Sequence, residues 1–135
     1  MRPLANKFNE LFSLQPEVLA AAPGRVNLIG EHVDFLEGFV LPFAIKDVTT
    51  VAIARNGTNK IRVASAQENF KIEEVSLQDL KPLTGKTWTR YPIGVIWALE
   101  IKDGLDVLID GQVPLGAGLS SSAALEAAVG TALNN

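Results

Sequence analysis

Two stretches of this 135-residue chain concentrate residues able to do chemistry. The first is Val113-Pro-Leu-Gly-Ala-Gly-Leu-Ser-Ser-Ser-Ala-Ala-Leu-Glu126, in which Gly116, Gly118 and three consecutive serines precede a run of good helix formers. Glycines let a backbone approach a ligand closely, and the first amides of a helix have no intrahelical partner. Such an end attracts anions, phosphate above all, through free N–H groups and the helix dipole. Serine hydroxyls add hydrogen-bond donors and a hard oxygen ligand suited to magnesium. The structural alternative is an N-cap preceded by a turn. Three serines exceed what one cap needs, and no capping box follows: Leu125 stands three residues after Ser122, and Glu126 falls one place late. No Gly-Lys-Ser/Thr follows the glycines, so the loop is not a Walker loop.

The second stretch is Gly24-Arg-Val-Asn-Leu-Ile-Gly-Glu-His-Val-Asp34, where Arg25, Glu31, His32 and Asp34 are interleaved with apolar residues. It reads equally as a solvated loop carrying a surface ion pair, which would contribute little stability, or as a polar pocket wall. In the second case carboxylates and an imidazole would bind several hydroxyls of a polyol, and the arginine would hold phosphate.

The elements that must position these residues follow from periodicity. Leu4, Phe8, Leu11, Phe12 and Leu14 predict an amphipathic first helix, ended by Pro16. Residues 17–22 predict a strand punctuated by Pro23-Gly24, and residues 39–45 and 48–54 predict two more. Asn56-Gly57 is a two-residue hairpin signal, with residues 60–65 as the returning strand. Residues 70–75 alternate as another strand, and 76–90 form a polar connection. A buried helix is expected from about Tyr91-Pro92 to Ile101, its aromatics serving the core. Leu105-Asp-Val-Leu-Ile-Asp110 is the strand leading into the serine loop. The fold class is α+β, one mixed β-sheet with packed helices, and its last strand enters by a helical crossover between non-sequential neighbours.

Composition narrows the function classes. The chain is 47% hydrophobic and 20% charged, values of a folded globular domain. A net charge of −3 offers no footprint for nucleic acid or anionic membrane. With no cysteine and one histidine, disulfides, thiolate sites and histidine clusters are excluded, in keeping with a cytoplasmic setting. No run of about 18 apolar residues predicts a membrane span, and residues 1–8 lack the apolar core of a signal peptide.

Taken together, the two stretches resemble a known family. Gly24 to Phe35, followed by Gly38-Phe-Val-Leu-Pro42, resembles the galactokinase signature, and Val113 to Glu126 resembles the nucleotide loop of GHMP kinases in its galactokinase form. The resemblance implies that Glu31, His32 and Asp34 bind sugar hydroxyls and that Arg25 stabilises the transferred phosphate. It implies that Gly116, Ala117, Gly118, Leu119, Ser120, Ser121 and Ser122 wrap ATP, that Ser122 ligates Mg2+, and that Ser65 touches the nucleotide. The implied reaction is phosphorylation of galactose at its anomeric hydroxyl. Val33, Phe35 and Leu36-Glu37 depart from the Thr, Tyr and Asn-small pattern usual there, which keeps N-acetylgalactosamine kinase as an alternative. A galactokinase-like sugar or nucleotide sensor and a nucleic-acid-handling domain of related fold are the other two. The resemblance also implies that residues 1–135 form an incomplete N-terminal GHMP domain. A catalytic Asp, a magnesium-binding Glu and a second domain are expected from a missing C-terminal half, and the chain alone is expected to be inactive. The alanine-rich face of the last helix is expected to be partly exposed as a result.

Overall fold

The computed structural model describes residues 1–30, 36–114 and 118–134. Five strands, β1 (Val18–Asn27), β2 (Pro42–Arg55), β3 (Lys60–Ser65), β4 (Glu73–Ser76) and β5 (Leu105–Gly111), form one sheet in the order β1-β2-β5-β3-β4. Helix α1 (Arg2–Phe12) covers one face, while α2 (Arg90–Ala98) and α3 (Ser121–Leu133) cover the other. The sheet is mixed: β3 and β5 run parallel, and the other pairs are antiparallel. This is the α+β class that the sequence predicts.

Strand alternation sorts the side chains between the two layers. Val51, Ile53, Ile61, Val63, Val107 and Ile109 face α2 and α3. Ala52, Ala54, Ala64 and Leu108 face α1, whose Leu4, Phe8 and Phe12 stand one turn apart on a single stripe. Alanines on that face leave room for the two phenylalanine rings, whose centroids are 4.9 Å apart. Burying a ring as completely as Phe8 contributes about 2–3 kcal/mol.

Several boundaries differ from the sequence expectation, each for a physical reason. Pro23-Gly24 does not end β1, because β1 is an edge strand, where a proline's missing N–H is tolerated. The two runs expected at 39–45 and 48–54 are one strand, irregular opposite Pro23 and Arg25. Asn56-Gly57 does not join paired strands, since β5 lies between β2 and β3. The Asn56 side chain instead accepts from the Thr58 N–H at 3.0 Å, a local Asx turn. Helix α2 stops at Ala98, short of Ile101, and Glu100 sits in the left-handed region at φ 53°. Of its aromatics, Tyr91 and Trp97 are exposed, so only part of the expected core role holds.

Apolar exposure also lies elsewhere than expected. Helix α3 buries Ala124, Leu125, Ala128, Val129 and Ala132. The large exposed apolar residues cluster around the β1–β2 connection, at Leu28, Ile29, Leu36, Phe39 and Leu41. Leu28 donates to the Leu41 carbonyl at 2.9 Å, so this stretch prolongs the ladder beyond the packed part of the sheet.

One buried charge locks β3 to β5. Asp106 is fully buried and receives both Nε and Nη2 of Arg62, at 2.7 and 2.6 Å, with Asn56 Nδ2 donating at 2.8 Å. The hydrogen bond to Asp106 raises the Arg62 pKa above its ordinary value. The Arg62 guanidinium also lies 5.2 Å from the Phe12 ring centroid, which ties α1 to the pair. Replacing Arg62 with leucine leaves Asp106 buried beside Asn56 alone. Urea denaturation should then register a loss of about 3 kcal/mol.

Candidate functional site

Parallel strands β3 and β5 end side by side, and α3 begins next to them. In open sheets, ligands favour that position, outside the carboxyl ends of parallel strands and in front of a helix N-terminus. A cavity of about 90 Å³ opens there, lined among others by Thr49, Ser65, Gln67, Trp88, Gly111 and Ser121. Ser65 and Ser121, far apart in the chain, both line this cavity. Gln67 braces the floor: its Oε1 accepts from Gly111 N–H and Ser65 Oγ, both at 3.0 Å, and its Nε2 donates to Asp110 at 3.1 Å.

The loop before α3 takes an unusual conformation. Gly118 has φ 68°, and Ser120, the N-cap of α3, has φ 55°. A non-glycine residue held in the left-handed region is strained, and such strain concentrates where ligands are clamped. The Ser120 side chain makes no cap hydrogen bond. The leading amides of α3 therefore have no side-chain cap from Ser120, which favours an anion there. Ser122 is exposed on the first turn.

Strand β1 reaches this loop directly. Arg25 N–H donates to the Leu119 carbonyl at 3.0 Å, across the free edge of the sheet. Gly24 makes the approach possible, because an added Cβ would lie 2.9 Å from each of Leu119 O, Ile45 Cδ1 and Val113 Cγ1. Arg25 itself is exposed. It stands on β1, which continues to Asn27, so residues 24–27 of this stretch are strand.

Of the residues singled out from sequence, Arg25 and Leu119 are joined, and Ser65 and Ser121 line one cavity. Glu31, His32, Asp34, Gly116 and Ala117 lie outside the described residues. Sequence reasoning missed Thr49, Gln67, Glu68 and Trp88, which line the cavity. They belong to no shared motif, and only the strand order assembles them. Asp106 and Asp110 are engaged structurally, by Arg62 and by Gln67 and Gln112.

Replacing Gly24 with alanine should push the loop off the strand edge, since a backbone carbonyl blocks the methyl. The expected cost is about 1–3 kcal/mol in chemical denaturation, with faster hydrogen exchange at the Arg25 amide. An unchanged exchange rate there would show that the contact does not hold in solution.

Comparison with known proteins matches both stretches. Residues 6–55 fit the galactokinase galactose-binding signature, and residues 90–135 fit the GHMP kinases N terminal domain. The galactokinase of Streptomyces coelicolor is 45% identical over 136 residues, covering 98% of this chain and 35% of its own length. The structure of Lactococcus lactis galactokinase complexed with galactose has 34% identity and a TM-score of 0.86, covering 99% of this chain and 36% of that one. Methanococcus jannaschii mevalonate kinase, at 21% identity with a TM-score of 0.72 over 87% of this chain and 39% of that one, shares the fold. The chain spans about a third of the length of the curated relatives it matches. With the galactokinase galactose-binding signature matched across β1 and β2, the GHMP kinases N terminal domain matched across α2, β5 and α3, and this fold beneath them, the chain is similar to the N-terminal third of galactokinases, which are GHMP kinases.

Proposed function

We propose that this chain supplies the sugar-binding and phosphate-binding motifs for ATP-dependent phosphorylation of galactose at its anomeric hydroxyl. The observation that supports this reading is the hydrogen bond between Arg25 N–H and the Leu119 carbonyl, which holds β1, within the segment matched to the galactose-binding signature, against the loop that precedes α3. The likeness to a galactokinase complexed with galactose supports the choice of sugar.

Each residue's part follows from its chemistry. The amides at the start of α3, with Gly116 to Ser122 before and within its first turn, would bind the nucleotide phosphates. Ser65 and Trp88 line the adjoining cavity, into which the rest of the nucleotide would extend. Glu31, His32 and Asp34 would bind the sugar hydroxyls. Arg25, next to Gly24 at the loop contact, would stabilise charge on the transferred phosphoryl group. The Ser122 hydroxyl is a hard donor that suits magnesium, and among the described residues no cluster of three His, Asp or Glu offers another cage. Bound with ATP, that ion neutralises phosphate charge. The anomeric oxygen bonds to the γ-phosphorus, the bond to the β–γ bridging oxygen breaks, and the hydroxyl proton is released, giving galactose 1-phosphate and ADP. The residue that takes that proton would come from the part of the relatives this chain does not span.

Co-expression with the complementary two-thirds of a relative should restore ATP-dependent galactose phosphorylation, read as sugar phosphate formed. Arg25→Ala in that pair should lower the rate about a hundredfold or more. A folded, associated pair that stays silent would reject the kinase reading.

A further inference from the structure

Asn56-Gly57 is the one Asn-Gly pair in the chain, and although it reads as a hairpin signal it joins no paired strands. The Asn56 side chain is half-buried and held at both ends. Its Oδ1 accepts from the N–H and the Oγ1 of Thr58, at 3.0 and 2.8 Å. Its Nδ2 donates to the Lys60 carbonyl at 3.1 Å and to Oδ1 of the buried Asp106 at 2.8 Å. Gly57 is exposed, has open space where a side chain would stand, and its N–H has no partner among the described residues. The nitrogen that follows the amide in the chain is therefore uncrowded. Two donors on Oδ1 draw charge from Cγ and steady the oxygen that turns negative when a nitrogen adds there.

We infer that Asn56 is a site of spontaneous deamidation, and that the acid formed there loosens the buried lock between β3 and β5. The Gly57 nitrogen bonds to Asn56 Cγ, the Cγ–Nδ2 bond breaks, and Nδ2 leaves as ammonia with the proton that Gly57 gives up. A five-membered cyclic imide remains. Water then opens it: cleavage between Cγ and the Gly57 nitrogen leaves an aspartyl residue, and cleavage at the main-chain carbonyl leaves an isoaspartyl one. Nothing is oxidised or reduced. Both partners of Nδ2 are acceptors, so an ionised oxygen in its place has no hydrogen to offer either one. Fully buried Asp106 then keeps only Arg62 as a donor among the described residues and gains a second carboxylate beside it. The isoaspartyl form also adds a carbon to the main chain where β2 leads into β3.

The test ages the folded chain at mildly alkaline pH and follows each asparagine by peptide mass spectrometry, with a sample unfolded in urea alongside. In the folded chain Asn56 should convert ahead of Asn6, Asn9, Asn27, Asn59 and Asn69, each of which is followed by a residue with a side chain. The converted chain should melt lower by about 5 °C, and Asn56→Asp should show the same loss from the start. Gly57→Ala supplies the control, since its added methyl has room. That variant should keep its own melting temperature through the same ageing, because residue 56 stays an amide. An amide at 56 that survives in the folded chain while the urea sample converts would overturn the inference, for the hydrogen bonds would then shield it. A melting temperature unchanged by conversion, or one that falls equally in Gly57→Ala, would overturn it as well. Where Asn56→Asp does not fold, the aged wild type decides: folded signal lost in step with conversion supports the inference, and folded signal kept at full conversion overturns it.

Discussion

Gly24 has no side chain, and the carbonyl of Leu119 occupies the space where one would stand. On that close approach depends the meeting of two segments nearly a hundred residues apart in the chain. β1 is an edge strand, so its outward amides are free to pair with something other than a strand. The Arg25 N–H pairs with the loop ahead of α3, which covers the edge and fixes where the helix begins relative to the signature segment. Any side chain at position 24 would trade that contact for solvent.

The rest of the fold holds the two partners of this contact steady. α3 lays Ala124, Ala128 and Ala132 against the sheet, and small residues at those positions allow the close packing that sets its N-terminus at the ends of β3 and β5. β5 in turn is held on both sides, by β2 and by β3, and the Asp106–Arg62 pair ties β5 to β3 from the opposite face. Buried ion pairs add little net stability compared with apolar packing. What this one contributes is register, because a slip of β3 by one residue would leave Asp106 facing no cation.

The left-handed backbone at Ser120, one of several described non-glycine residues in that region, and the lone acceptor at Asn27, a buried side-chain oxygen without a described partner, are departures from local comfort. Both lie next to the contact between β1 and the loop, at the residue after Leu119 and at two residues after Arg25. The exposed apolar residues at Leu28, Ile29, Phe39 and Leu41 follow immediately along the same two strands.

Residue spacing alone was enough to find the two chemical stretches, the stripe of α1, the strand before the serine loop and the helix after it. Each of these is written in consecutive residues, through helical period, alternation or a glycine-serine run. The sequence also carried the family, because both motifs are local. Strand order was not legible: Asn56-Gly57 looked like a hairpin, and only the packing of β5 against both β2 and β3 decided otherwise. Nor was the cavity, since Thr49, Gln67, Trp88 and Gly111 meet only when four separate segments close around the start of α3. Local patterns report which face a residue presents, whereas pairing between distant strands is decided by the burial that all of them achieve together. For that reason the candidate residues could be picked from the sequence, whereas the shared cavity of Ser65 and Ser121 and the contact of Arg25 with Leu119 were decided only by the fold.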